Sequence, residues 1–104
     1  MKYGLRDETI DNINRVFEKY PKIQKVIIYG SRAKGNYKNG SDIDLTLIGD
    51  DINIQDLNLI YIDLDELYLP YMFDISIYKN LENLDLIDHI NRVGCDFYIK
   101  NERI

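Results

Sequence analysis

The stretch from Val26 to Leu45 constrains this chain more than any other. An apolar run, Val26-Ile27-Ile28-Tyr29, leads straight into Gly30-Ser31-Arg32-Ala33-Lys34-Gly35, as a buried strand feeds a tight turn. Ten residues separate Ser31 from Asp42, and a second apolar stretch begins inside Asp42-Ile43-Asp44-Leu45. Glycine lets the backbone approach a ligand closely, and the residues after it open a short helix whose free N–H groups face an anion. On a strand, residues two apart share a face, so Asp42 and Asp44 present two carboxylates together while Ile43 and Leu45 point to a core. Such a pair repels unless a divalent cation lies between the two groups. A phosphate cradle beside a metal-binding pair, each at a strand end, describes a nucleoside-triphosphate site.

The charge distribution agrees. The whole chain carries a formal −5, which disfavours generic nucleic-acid binding because that needs cationic surface to displace phosphate counterions. Residues 1–40 hold nine Lys/Arg against four Asp/Glu, whereas residues 41–90 hold one Lys against twelve Asp/Glu. The sign changes inside the motif: Arg32, Lys34 and Lys38 precede the carboxylates, which suits a triphosphate and its Mg²⁺. At 104 residues and 45% hydrophobic content, the chain reads as one domain, 1–104, with a single core. No apolar run approaches the ~20 residues of a membrane span, and Met1-Lys2-Tyr3-Gly4 starts no signal peptide. Cys95 is the only cysteine, so there is no disulfide framework and no cysteine-based zinc site. A reducing cytoplasm is the expected location, with neither a membrane nor a direct nucleic-acid partner.

Periodicity supplies the elements. Asp7 reads as the N-cap of a first helix carrying Ile10, Ile13, Phe17 and Tyr20, closed by Pro21. Lys25–Tyr29 is the first strand. Ser31–Lys34 makes a short helix released at Gly35, and Ile43–Ile48 is the second strand, with Thr46 on the side of Asp42 and Asp44. From Asn53 to Leu67, Ile54, Leu57, Ile60, Leu64 and Leu67 follow helical spacing, leaving an acidic outer face. Met72–Tyr78 is the third strand, with Phe73, Ile75 and Ile77 on one face and Asp74, Ser76 and Tyr78 on the other. Asn83 caps a last helix with Leu84, Ile87, Ile90 and Val93 as its stripe and Gly94 at C′. Phe97-Tyr98-Ile99 adds a short edge strand. The order predicts an α/β sandwich, with a small mixed sheet, helices over one face and the site on the other.

Gly30-Ser31, ten residues, then Asp42-x-Asp44 resembles the signature of the DNA polymerase β-like nucleotidyltransferase superfamily, and the short length is similar to its minimal nucleotidyltransferase branch. The resemblance covers the chain from Ile10 to Tyr98, with Gly30, Ser31, Asp42, Asp44 and Asp74 as its specific residues. It implies the nucleotidyltransferase fold, of α/β (α+β) class, and a third carboxylate on a later strand, a place that Asp74 fits. It implies that Asp42, Asp44 and Asp74 are the catalytic and metal-binding groups, with two Mg²⁺ ions on ATP and Asp74 as general base. Ser31, with Gly30 and the N–H groups that follow, would hold the outer phosphates. Either Arg32 or Lys34 would steady the leaving group; Arg32 is favoured for its adjacency to Ser31.

Members of this branch resemble the antitoxin half of toxin–antitoxin pairs. The resemblance then implies transfer of AMP from ATP to a tyrosine of a HEPN-domain toxin encoded by the adjacent gene. No second, acceptor-binding domain is expected, so the acceptor is small or is presented by another protein. Two rival readings are adenylylation of a small-molecule hydroxyl with a separate helper subunit, and a non-catalytic partner that neutralises a toxin by covering it. Of the other residues, Tyr37, Tyr71 and Tyr78 are candidates to stack on a base. His89 reads as a surface or boundary residue and no metal site, and Cys95 as a small packing residue.

Overall fold

The computed structural model describes residues 1–101. Its first helix, α1 (Asp7–Glu18), buries Ile13, Val16 and Phe17. Asp7 is the first helical residue and not the cap; Arg6 occupies the cap position without a side-chain cap bond. Asp7 and Glu8 instead complement the positive end of the helix dipole. Strand β1 (Lys25–Tyr29) is followed by the single turn α2 (Gly30–Lys34), which ends at Gly35 with φ 89°. Strand β2 (Ile43–Ile48) then leads to α3 (Ile54–Asp65). Asn53 and Asp56 close a reciprocal capping box at the start of α3, satisfying two otherwise orphaned N–H groups. Strand β3 (Phe73–Ile77) is shorter than expected, because Tyr78 begins a 3₁₀ turn. Helix α4 (Leu84–Val93) and strand β4 (Cys95–Ile99) complete the described chain.

The sheet has the order β3-β2-β1-β4. β1 pairs antiparallel with β2 and β4, whereas β2 and β3 run parallel. A parallel pair needs a long crossover, and α3 is that connection. The register sorts the side chains into two faces. Val26, Ile28, Ile43, Leu45, Leu47, Ile75 and Ile77 form one face and join Ile13, Val16, Phe17, Ile60 and Leu64 in a single buried cluster. Full burial of an aliphatic side chain contributes about 1.5–3 kcal/mol, so this layer holds the fold together. Ile27, Tyr29, Asp44, Thr46, Asp74 and Ser76 share the opposite face.

Thus α1 and α3 cover one face, as the pattern predicted, and the carboxylates lie on the other. Helix α4 departs from the expected arrangement: it crosses that second face at β1, where Gly94 stands against Ile27 and His89 against Tyr29. Gly94 does not take the left-handed conformation expected of it; its φ is −63°. Glycine is required there for closeness, since a Cβ would meet the carbonyl oxygen of Ile90 and stand 2.6 Å from Ile27 Cγ2. Two residues expected on apolar stripes are exposed, Ile54 at 57% and Leu84 at 79%. Both are the first helical residue after an asparagine cap, where the helix has not yet reached the sheet. No helix among the described residues is long and apolar enough to cross a membrane.

Candidate active site

The site begins where β1 ends. Tyr29 is extended, and Gly30 turns the chain into α2 with φ 74°, a conformation that favours glycine. The close approach of Asp44 imposes a second requirement, because a Cβ on Gly30 would collide with Asp44 Oδ2. Gly30 therefore brings the start of α2 directly against the first carboxylate of β2. Ser31 is half-buried beside it, and its carbonyl accepts the N–H groups of Gly35 and Asn36.

The parallel pairing of β2 with β3 sets Asp44 opposite Asp74, and Thr46 opposite Ser76. Ser76 Oγ donates to Thr46 Oγ1 at 2.9 Å, so the polar row is bonded at its inner end and acidic at its outer end. Asp42 stands one residue before β2. Asp42 and Asp74 are exposed and Asp44 is half-buried. Burial raises the Asp44 carboxyl above its ordinary range, and the charges of Asp74 and Asp42 push the same way; the Arg32 charge pulls it back. Burial also raises the Tyr29 hydroxyl; a hydrogen bond with Ser76 lowers it, while Asp74 and Asp44 raise it further.

Among the described residues no three metal-ligating side chains already form a closed cluster. The donor set nevertheless fits a hard divalent cation: carboxylate oxygens on adjacent strands, in register and mutually repelling, with the glycine turn against one of them.

Arg32 is used differently from what its adjacency to Ser31 suggested. Its side chain is 2% exposed and points away from solvent. Nε and Nη2 donate to the Ser41 carbonyl at 3.1 and 2.8 Å, and Nη1 donates to the Tyr3 carbonyl at 2.8 Å. The guanidinium lies between the rings of Tyr37 and Tyr71, 5.4 and 4.8 Å from their centroids. A rigid fork of five donors suits this convergence of carbonyls. Arg32 fastens the N-terminal turn and the 36–41 loop to α2, and its charge reaches Asp44 only through space. Lys34 is exposed.

Tyr37 and Tyr71 are thus engaged with Arg32, and Tyr78 donates its hydroxyl to Asn91 Oδ1 at 3.0 Å. His89, read as a boundary residue, is half-buried at the site. Its Nε2 accepts the Gly30 N–H at 3.2 Å, and its ring meets that of Tyr29 edge-on at 6.1 Å. Periodicity offered one signal for it: His89 precedes Ile90, which is 1% exposed, on a helix that must cross a face carrying Tyr29.

A mixed sheet bearing carboxylates in register on β2 and β3, beside a Gly-Ser turn at the end of β1, defines a nucleotidyltransferase domain. The model of the polymerase beta nucleotidyltransferase family matches residues 11–103, and the chain belongs to that family. It is 44% identical over 39 residues to MJ0604 of Methanocaldococcus jannaschii, a protein bearing the name of a candidate protein adenylyltransferase. That match spans 36% of this chain and 39% of the relative. The fold is similar to that of a toxin–antitoxin solved with AMP-PNP (TM-score 0.70, 18% identity, 92% of this chain and 75% of that one). It is also similar to that of a tri-AMPylated Shewanella oneidensis HEPN toxin in complex with an MNT antitoxin (TM-score 0.68, 14% identity, 92% and 74% covered).

Proposed function

We propose that this protein is the antitoxin of a toxin–antitoxin pair and transfers AMP from ATP to a tyrosine hydroxyl of a HEPN-type toxin. The observation that carries this reading is the Asp44–Asp74 register, closed on one side by the Gly30 turn. Asp42, Asp44 and Asp74 would hold Mg²⁺, for which two ions are proposed. Bound there, Mg²⁺ supplies charge neutralisation at the phosphates and acidifies the acceptor hydroxyl. Ser31 and the N–H groups that follow it hold the outer phosphates, and exposed Lys34 is now the better candidate to steady the pyrophosphate. Asp74, exposed on the sheet, accepts the proton of the attacking hydroxyl. The new bond joins that oxygen to the α-phosphorus, and the bond from the α-phosphorus to the pyrophosphate oxygen breaks.

An exposed surface on α3 and the segment after it supports a protein partner. Between residues 54 and 72, Ile54, Leu59, Ile62, Tyr68 and Met72 are all more than half exposed. No Lys or Arg occurs from Asn39 to Tyr78, so this apolar and acidic strip complements a basic partner. A tyrosine hydroxyl, with a reference pKa of ~10, is within the range that a metal and a carboxylate can activate.

The test is to incubate the chain with ATP, Mg²⁺ and the product of the adjacent gene, and to weigh that product by mass spectrometry. Addition of AMP that is lost with Asp74→Asn supports the proposal. Neutralisation of the toxin without added mass would replace it with a covering role.

A further inference from the structure

Helix α4 delivers a side chain to the phosphate turn from the far end of the sequence. The Gly30 N–H donates to His89 Nε2 at 3.2 Å, across 59 residues. An accepting Nε2 is unprotonated, so this bond puts the ring proton on Nδ1. The Tyr29 ring, 6% exposed, holds the imidazole edge-on with an interplanar angle of 80°. The helix that carries His89 is itself fixed, because Ile90 is buried and Gly94 packs against Ile27. The acceptor is therefore presented from a rigid support.

What it holds is the one peptide on which two parts of the site depend. At Gly30 the chain passes from β1 into α2 at φ 74°, and the carboxylate of Asp44 rests against the same residue. Rotation of the Tyr29–Gly30 peptide would move the N–H groups of α2 and the bed of Asp44 together. The Gly30 N–H has no intrahelical acceptor, as for all donors at a helix start. Bonded to His89, it is tied back to α4, and the turn keeps a single orientation.

We infer that His89 is a positioning residue of the nucleotide site: its Nε2 fixes the Gly30 turn in the orientation that Asp44 and the phosphates require. This role rests on the nucleotide-binding reading above. It is a hydrogen-bond role, so a side chain that accepts at the same place must restore it.

The test pairs amide hydrogen exchange of the nucleotide-free protein with calorimetric titration of MgATP. In His89→Leu the Gly30 amide should exchange roughly tenfold faster and MgATP should bind roughly tenfold more weakly, the range of one lost hydrogen bond. In His89→Gln, whose Oε1 reaches where Nε2 stands, both values should return to within about threefold of the native protein. Should His89→Leu fail to fold, His89→Asn takes its place, since it is polar but too short to reach Gly30. Native exchange and native affinity in the leucine variant would overturn the inference. So would a glutamine variant as impaired as leucine, because the ring's packing on Tyr29 would then be what matters. If the native protein itself does not bind MgATP, the nucleotide reading fails separately. The Gly30 exchange rates would still decide whether His89 holds the turn.

Discussion

Replacing Asp44 by asparagine should make the metal-free protein more stable while disabling its site. Asp44 faces Asp74 across β2–β3 and lies two residues from Asp42. Each like-charged pair on a sheet face costs roughly 0.2–1 kcal/mol, so relieving two should contribute about 1 kcal/mol. Asparagine keeps the outline of the side chain, including the atom that lies against Gly30. In a domain of this size the gain corresponds to an increase in Tm of about 4–8 °C. The pH dependence has the same sign, with burial as its largest cause and the charges of Asp74 and Asp42 adding to it. The Asp44 carboxyl is raised above its ordinary value of 3.8 in the folded chain, so the fold holds a proton there that the unfolded chain releases. Its contribution to stability therefore falls as the pH rises from 3.8 through the raised value. The advantage of Asp44→Asn should be full at about pH 7.5 and vanish as the pH falls below the ordinary aspartate range. Thermal melts in EDTA across that interval measure it, and added Mg²⁺ should stabilise the native protein more than the variant. An Asp44→Asn protein less stable than native at neutral pH in EDTA, or an advantage that does not narrow in acid, would refute the repulsion argument.

Two further outcomes follow from the same geometry. Arg32→Lys keeps the charge but cannot serve the Ser41 and Tyr3 carbonyls together, so urea denaturation should show a loss of roughly 2–3 kcal/mol. Faster amide exchange should appear in the 36–41 loop. Ser31→Ala should weaken MgATP binding more than AMP binding in parallel titrations, because the proposed contact is to the outer phosphates; equal losses would remove Ser31 from the cradle.

The strands and the acidic face were legible because alternation reports them directly. A strand such as Ile43-Asp44-Leu45-Thr46-Leu47 states which side is core, and Phe73-Asp74-Ile75-Ser76-Ile77 repeats the statement, so both carboxylates fall on one face whatever the pairing. Their direct opposition was not legible. It depends on a parallel register set by the α3 crossover, and no local pattern encodes that. Arg32 shows a different limit. Its neighbour in sequence is Ser31, but its partners are carbonyls of Tyr3 and Ser41, backbone groups that every residue carries and no residue type advertises. His89 was harder to read because periodicity sets it beside the apolar stripe of α4 but does not say which group its ring bonds. The cap of α4 was readable because Asn83 carries the capping oxygen in its own side chain, which accepts the N–H groups of Asp85 and Leu86.

The position of Asp74 also decides how an acceptor can approach. Parallel pairing leaves β3 at the edge of the sheet, and an edge strand ordinarily invites another strand to pair with it. Here the centre of that edge is occupied. The Ile75 N–H donates to the Tyr61 hydroxyl at 2.7 Å, and that hydroxyl returns a bond to the Ile75 carbonyl at 3.3 Å. The opposite edge is engaged in the same way, since Asn14 of α1 donates to the Phe97 carbonyl of β4 at 3.2 Å. Helices on the buried side thus reach round both edges and take backbone groups that strand addition would need. A partner that brings a hydroxyl to Asp74 must then hold on through side chains. On α3, the helix that supplies Tyr61, and just after it, the exposed side chains are aliphatic and acidic, among them Ile54, Leu59, Ile62, Asp65 and Glu66. The arrangement that places a repelling carboxylate on an outer strand therefore also leaves it exposed at an edge whose central backbone groups are already taken.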